Sequence, residues 1–193
     1  MADAMNPNEQ SEQPGYTLKQ MRKIVPIEEY VEEYVDVPRF LKYCRECESY
    51  GQRWSCPPFK FDPMTLWHCF KRLWLWGLVL VPEPGTNLSD LLNSLEHEKN
   101  IMLDELLKLE QEIPGSLALS AGTCKLCPEG CSRSCNIPCR RMAQMRWSVE
   151  ALGGDVAKTT EQIFHTPMLW IKNGILPDYL MLVGGLLLRE ANS

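Results

Sequence analysis

Three features of the sequence predict an α+β fold, a small mixed or antiparallel sheet packed with helices and carrying cysteine-rich, metal-binding loops. Residues 73–81 and 179–188 are apolar runs of strand length, the first closed by Pro82 and Pro84. Between them, a long stretch after Asn87 repeats its apolar residues at helical spacing. Eight of the nine cysteines fall in two segments broken by Gly, Pro and Arg. Strands separated by helices and loops in this way pack as an α+β sandwich.

The chain has 193 residues and a formal net charge of −5. That length suits one domain with a sizeable core, so the cysteines are not needed to staple an undersized fold. Residues 1–15 are rich in Asn, Gln, Glu and Pro and are expected as a disordered tail, leaving residues 16–193 as a single domain. No run approaches the roughly 18 apolar residues a membrane helix needs, so a membrane protein is not expected. The polar, acidic start has no apolar signal core, which points to a cytoplasmic location. In a reducing compartment clustered cysteines bind metal or do redox chemistry more often than they form disulfides. The acidic balance speaks against nucleic acid as a partner.

Taken in order, residues 24–36 mix β-branched residues with acids and read as an extended edge segment. Pro38 suits the first turn of a helix through Phe40, Leu41 and Tyr43, which delivers Cys44 and Cys47 at its end. Residues 48–63 hold Gly51, Pro57 and Pro58 and read as a loop, followed by a helix over 64–72 and the buried strand 73–81. Asn87 caps a long helix whose apolar residues, from Leu88 to Leu109, keep period until Pro114 and Gly115. Residues 117–120 form a short strand feeding the cysteine-rich loop. A helix with Met142, Met145, Val149 and Leu152 on its inner face, ended by Gly153 and Gly154, comes next. A helix around 156–165 and a last strand over 179–188 complete the chain.

The cysteines divide as Cys44-x2-Cys47-x8-Cys56 and Cys124-x2-Cys127-x3-Cys131-x3-Cys135-x3-Cys139, with Cys69 apart. Eight thiolates are enough for two sites of four, the number taken by a tetrahedral zinc or a [4Fe-4S] cube. The second run is similar in spacing to the bacterial ferredoxin pattern, with one extra residue before its third cysteine. Five cysteines within 16 residues exceed what one zinc needs, which favours clusters, although the pairs Cys44/Cys47 and Cys124/Cys127 also fit zinc ribbons. Lys125, Arg133, Arg140, Arg141 and Arg146 against Glu129 make this region cationic, either to stabilise an anionic cluster or as a solvated face. Cys69 reads as a packed thiol, and His68, His97 and His165 stand apart from the cysteine spacings.

Phosphate-binding glycine loops, a zinc-protease His pair and a Ser/His/Asp arrangement are all absent from the sequence. Six tryptophans without a basic surplus read as core, or as a shield around a cofactor, for which Trp54 beside Cys56 is the best placed.

Residues 50–59, Tyr-Gly-Gln-Arg-Trp-Ser-Cys-Pro-Pro-Phe, preceded by Cys44-x2-Cys47, resemble the opening motif of a prokaryotic family of cysteine-rich predicted metal-binding proteins, domain of unknown function 2284. The later stretches Gly-Thr-Cys-Lys-Leu-Cys at 122–127, Pro-Cys-Arg at 138–140 and Arg-Trp-Ser-Val-Glu-Ala-Leu-Gly-Gly-Asp-Val at 146–156 resemble its second motif. The resemblance implies Cys44, Cys47, Cys56, Cys124, Cys127, Cys131 and Cys139 as ligands, with Cys135 additional. It implies metal binding and no particular reaction. The expectation is an iron-sulfur protein with two [4Fe-4S] clusters, exchanging electrons with a redox partner protein in anaerobic metabolism. One site uses Cys124, Cys127, Cys131 and either Cys135 or Cys139; the other uses Cys44, Cys47, Cys56 and the cysteine left over. Two alternatives stand beside it: an enzyme with an open iron at the Cys44/Cys47/Cys56 trio, and a structural zinc module that docks a partner through its acidic helix.

Overall fold

The computed structural model describes residues 10–13 and 15–189. Its centre is an antiparallel sheet of five strands, β1 (Gln10–Gln13), β2 (Tyr16–Pro26), β3 (Arg72–Pro82), β4 (Leu117–Leu119) and β5 (Leu180–Leu188), in the order β1-β2-β3-β5-β4. β3 and β5 are the apolar runs of the sequence. They are apolar throughout because both faces of the sheet are covered, so neither set of alternating side chains meets water. Leu73, Leu75 and Val79 of β3 join Met181, Val183 and Leu187 of β5 in one core, under α1 (Ile27–Tyr34), α3 (Pro63–His68) and the region of α5 (Val156–Gln162). Trp74, Trp76, Leu78 and Leu80 turn the other way, with Leu182 and Leu186, onto Leu91, Met102 and Leu106 of α4 (Leu88–Glu112).

α4 starts where the sequence places it, because Asn87 Oδ1 accepts the Asp90 amide at 3.0 Å. α2 (Val37–Arg45) is capped by Asp36, whose Oδ1 accepts the Arg39 amide at 2.9 Å, with Pro38 in its first turn. None of the helices among the described residues is long and apolar enough to cross a membrane.

The structure corrects several local expectations. Residues 24–36 are not one extended segment: β2 ends at Pro26 and α1 follows, with Ile27, Tyr30, Val31 and Tyr34 on one helical face against the core. Pro26 stops the ladder and opens the helix, and Glu28 and Glu29 in the first turn favour it. The expected helix carrying Met142 is absent. Residues 141–149 run through turns into a 3-10 turn at Glu150–Leu152, and Met142 is 65% exposed. Tertiary contacts override the local pattern there: the Ser120 amide donates to the Trp147 carbonyl at 2.9 Å, and Arg146 forks onto Glu110 of α4 at 2.6 and 2.7 Å. The helices expected over 64–72 and 156–165 stop at His68 and Gln162. Of the segment expected as a tail, Gln10–Gln13 pairs with β2, Gln10 opposite Lys19 and Gln13 opposite Tyr16. Residues 1–9 and 14 of that segment lie outside the described residues.

Candidate metal centre

Two loops carry the clustered cysteines, and the fold brings them together. The first links α2 to α3. Cys44 sits in the last turn of α2 and Cys47 just beyond it, where the Cys47 amide donates to the Cys44 carbonyl at 3.1 Å. The chain then doubles back: the Gly51 amide donates to the Pro57 carbonyl at 2.8 Å, and Gly51 takes a φ of +69° that a side chain would disfavour. That turn buries Cys56 while Cys47 stays exposed. Burial pushes the Cys44 and Cys56 thiols up, and nearby thiols add to it: Cys56 and Cys47 for Cys44, Cys47 for Cys56.

The second loop leaves β4, and its neck is closed by the Ser120 to Trp147 hydrogen bond. The two loops are stitched to each other. The Cys124 amide donates to Ser55 Oγ at 3.3 Å, and Arg53 Nη1 donates to the Cys124 carbonyl at 2.9 Å. Arg133, in the 3-10 turn Ser132–Cys135, donates to the Arg53 carbonyl at 2.7 Å and to the carbonyls of Cys56 and Pro58. Its guanidinium also lies 5.3 Å from the centre of the Trp54 ring, whose Nε1 donates to the Ile137 carbonyl at 3.1 Å. A planar fork with five donors is suited to gathering several carbonyls at one point.

At the junction of the loops, Cys124, Cys127, Cys131 and Cys139 line one narrow cavity of about 10 Å³ together with Arg53, Trp54, Ser55 and Arg141. Cys135 does not line it and is exposed. Burial raises the Cys124 thiol, Cys139 and Cys131 raise it further, and the Leu126 amide and the Lys99 ammonium act against them. Four soft thiols with amide and cationic donors around them form a donor set that fits zinc or an iron-sulfur cluster. The thiols border this space rather than meet at a point: among the described residues no three His, Cys, Asp or Glu side chains stand close enough to hold one metal ion.

Of the five cations the sequence places here, Lys125 pairs with Glu96 at 3.0 Å, Arg140 with Glu129 at 3.4 Å and Arg146 with Glu110. Arg140 also donates to the Gly130 carbonyl at 3.5 Å; Arg133 reaches the carbonyls of the first cysteine loop, and Arg141 lines the cavity between the two loops. The histidines stand exposed, and Cys69 is exposed too, its thiol donating to the Thr65 carbonyl at 3.2 Å in place of packing in the core. Trp67, Trp74 and Trp76 are core, whereas Trp170 is exposed.

Sequence reasoning missed Arg53, Lys99 and Glu150. Lys99 is 8% exposed and donates to the Thr123 carbonyl, one residue before Cys124, and to Glu96 Oε1 at 3.3 Å. Its signal was available, since it stands four residues after Leu95 and three before Met102 on the apolar face of α4. Glu150 left no signal of its own beyond its place in the second motif.

A family model described as "Predicted metal-binding protein (DUF2284)" matches residues 30–188 of the chain. No curated protein and no solved structure matches it.

Proposed function

The chain belongs to the DUF2284 family of predicted metal-binding proteins, and from that premise we propose that it is a cytoplasmic iron-sulfur protein of anaerobic metabolism whose eight clustered thiols hold two [4Fe-4S] clusters and exchange electrons with a redox partner protein. The observation that carries this reading is the cavity bordered by Cys124, Cys127, Cys131 and Cys139, four cysteines spaced much as in a ferredoxin run. Cys44, Cys47 and Cys56 form the second site, with Cys135 as the remaining thiol. Zinc would draw four sulfurs to within about 3.8 Å of one another, given Zn–S bonds near 2.3 Å. Thiols that border a space without meeting fit a cube better, because each then binds a different iron. All four stand on backbone outside helix and strand, and can move apart to admit one.

When bound, each cluster supplies a one-electron couple. The chain's own groups do the rest. The thiols must lose protons to bind, and burial holds Cys44, Cys56 and Cys124 protonated, so loading releases protons and weakens in acid. Lys99 and Arg141 offset the negative charge that four thiolates bring, and Trp54 limits water.

A second reading, a cluster-dependent enzyme with its open iron on the Cys44, Cys47 and Cys56 trio, is favoured by one observation: Cys44, a member of that trio, borders a cavity that a small molecule can enter. An iron held by those three thiolates alone would keep a position free for a substrate.

Protein purified without oxygen is expected to be brown, with a broad absorption band and about eight irons and eight sulfides per chain. Cys139→Ser is expected to lose about half of each. Cys135→Ser losing the other half supports the electron carrier, and Cys135→Ser keeping both clusters supports the open-site enzyme. A colourless protein with stoichiometric zinc and no sulfide overturns both readings.

A further inference from the structure

Of the two carboxylates in the stretch 146–156, Asp155 caps α5 and pairs with Arg39, whereas the metal chemistry gives Glu150 no task. Its Oε2 is buried and has no hydrogen-bond partner among the described residues. The residue Glu150 lines a cavity of about 180 Å³, whose lining also includes Phe40, Cys44, Pro57, Phe59 and Phe61. No Lys, Arg or His lines this cavity. Lys99, the cation that acts on Glu150, donates to the Thr123 carbonyl and to Glu96. Burial pushes the Glu150 carboxyl up, while Ser148 and the amides of Glu150 and Gly122 favour its charged form.

A buried carboxyl whose acting cation is already engaged is costly to ionise, and a cation that enters the cavity lowers that cost. Three phenylalanines line the same space, and the face of an aromatic ring attracts an organic cation. At roughly 30 Å³ per heavy atom the cavity admits about six non-hydrogen atoms. We propose that this cavity is a binding site for a small organic ammonium ion, its N–H groups on the Glu150 carboxylate and its carbon body among Phe40, Phe59 and Phe61, beside Cys44. The site stands whatever metal the thiols hold.

The probe is n-butylammonium, with 1-butanol as its neutral counterpart, in equilibrium dialysis against the intact, metal-loaded chain at up to about 50 mM. Saturable binding at one site is expected, weakened about tenfold or more by Glu150→Gln, with 1-butanol competing at least about tenfold less well. Phe59→Leu, in the lining of the cavity, is expected to weaken binding several-fold, whereas Trp170→Leu leaves it unchanged. Trp170 lines a neighbouring cavity that shares only Phe40 and Glu150 with this one. Absence of saturable binding to the wild-type chain overturns the proposal. So does equal binding by a folded Glu150→Gln variant, equal competition by 1-butanol, or sensitivity to Trp170→Leu but not to Phe59→Leu. Iron, zinc and sulfide counts on the same samples read the metal proposal separately.

Discussion

Glu98 and Lys99 are neighbours on α4, 5% and 8% exposed, and each is buried with a partner from a distant part of the chain. Lys99 reaches the Thr123 carbonyl at the root of the cysteine loop. Glu98 Oε1 accepts the Tyr16 hydroxyl at 2.7 Å, which ties α4 to β2. Burial, and then the Glu98 carboxylate, push the Tyr16 hydroxyl up from 10.0 to about 12. The folded chain therefore keeps the proton that the unfolded chain releases, and the resulting stability is complete below pH 10 and is lost as pH rises from 10 through 12. Tyr16→Phe has no such proton to lose. Its unfolding midpoint in urea, measured from pH 9 upward, is expected to fall less steeply than that of the wild type at about the same pH values. An identical alkaline slope in the two proteins would place the titrating group elsewhere.

Among the elements, β5 is the one where backbone space is tightest. It lies between β3 and β4, with Gly185 opposite both Leu75 and Leu119. A Cβ on Gly185 would stand 2.6 Å from the Trp74 carbonyl oxygen, a backbone atom that cannot turn away. Glycine is normally a weak strand residue, and here the close approach of the central strands requires it. Gly185→Ala is expected to cost about 2 kcal/mol or more in urea denaturation, since it forces apart the two strands that hold both cores. A loss below about 0.5 kcal/mol, the range of ordinary surface changes, would mean that β5 shifts to make room.

For the whole molecule, the two cores lie on opposite faces of the sheet and contain none of the clustered cysteines. The cysteine loops, in contrast, are held by side chains such as Arg133 and Arg53 reaching carbonyls, with little ladder or helix of their own. Metal and sheet should therefore separate energetically. Stripping the metal by chelation or oxidation is expected to leave the far-UV circular dichroism of strands and helices largely in place. Amide exchange should rise at residues 47–58 and 121–146, and much less in β3 and β5. Complete unfolding on stripping would instead make the metal part of the core's stability, as in zinc fingers.

The sequence by itself determined the fold class, the two central strands, α4 with its Asn87 cap, α2 with its Pro38 start, and the division of the cysteines into two segments. These rest on local rules: apolar run length, helical period, cap chemistry and spacing are written within a dozen or so residues. Where a distant group competes, the local reading failed. Residues 142–152 have a helical pattern, but Arg146 is drawn to Glu110 and Ser120 takes the Trp147 carbonyl. α1 was hidden because its β-branched residues suit a strand as well as a helix, and packing against the core decided between them. The same holds for the site. Which cysteines border one cavity, with Cys139 among them and Cys135 outside, follows from how two loops about 70 residues apart are stitched by Arg53, Ser55 and Arg133. Glu150 acquires its cavity in the same way, because only the folded chain sets Phe40 and Phe59 around it.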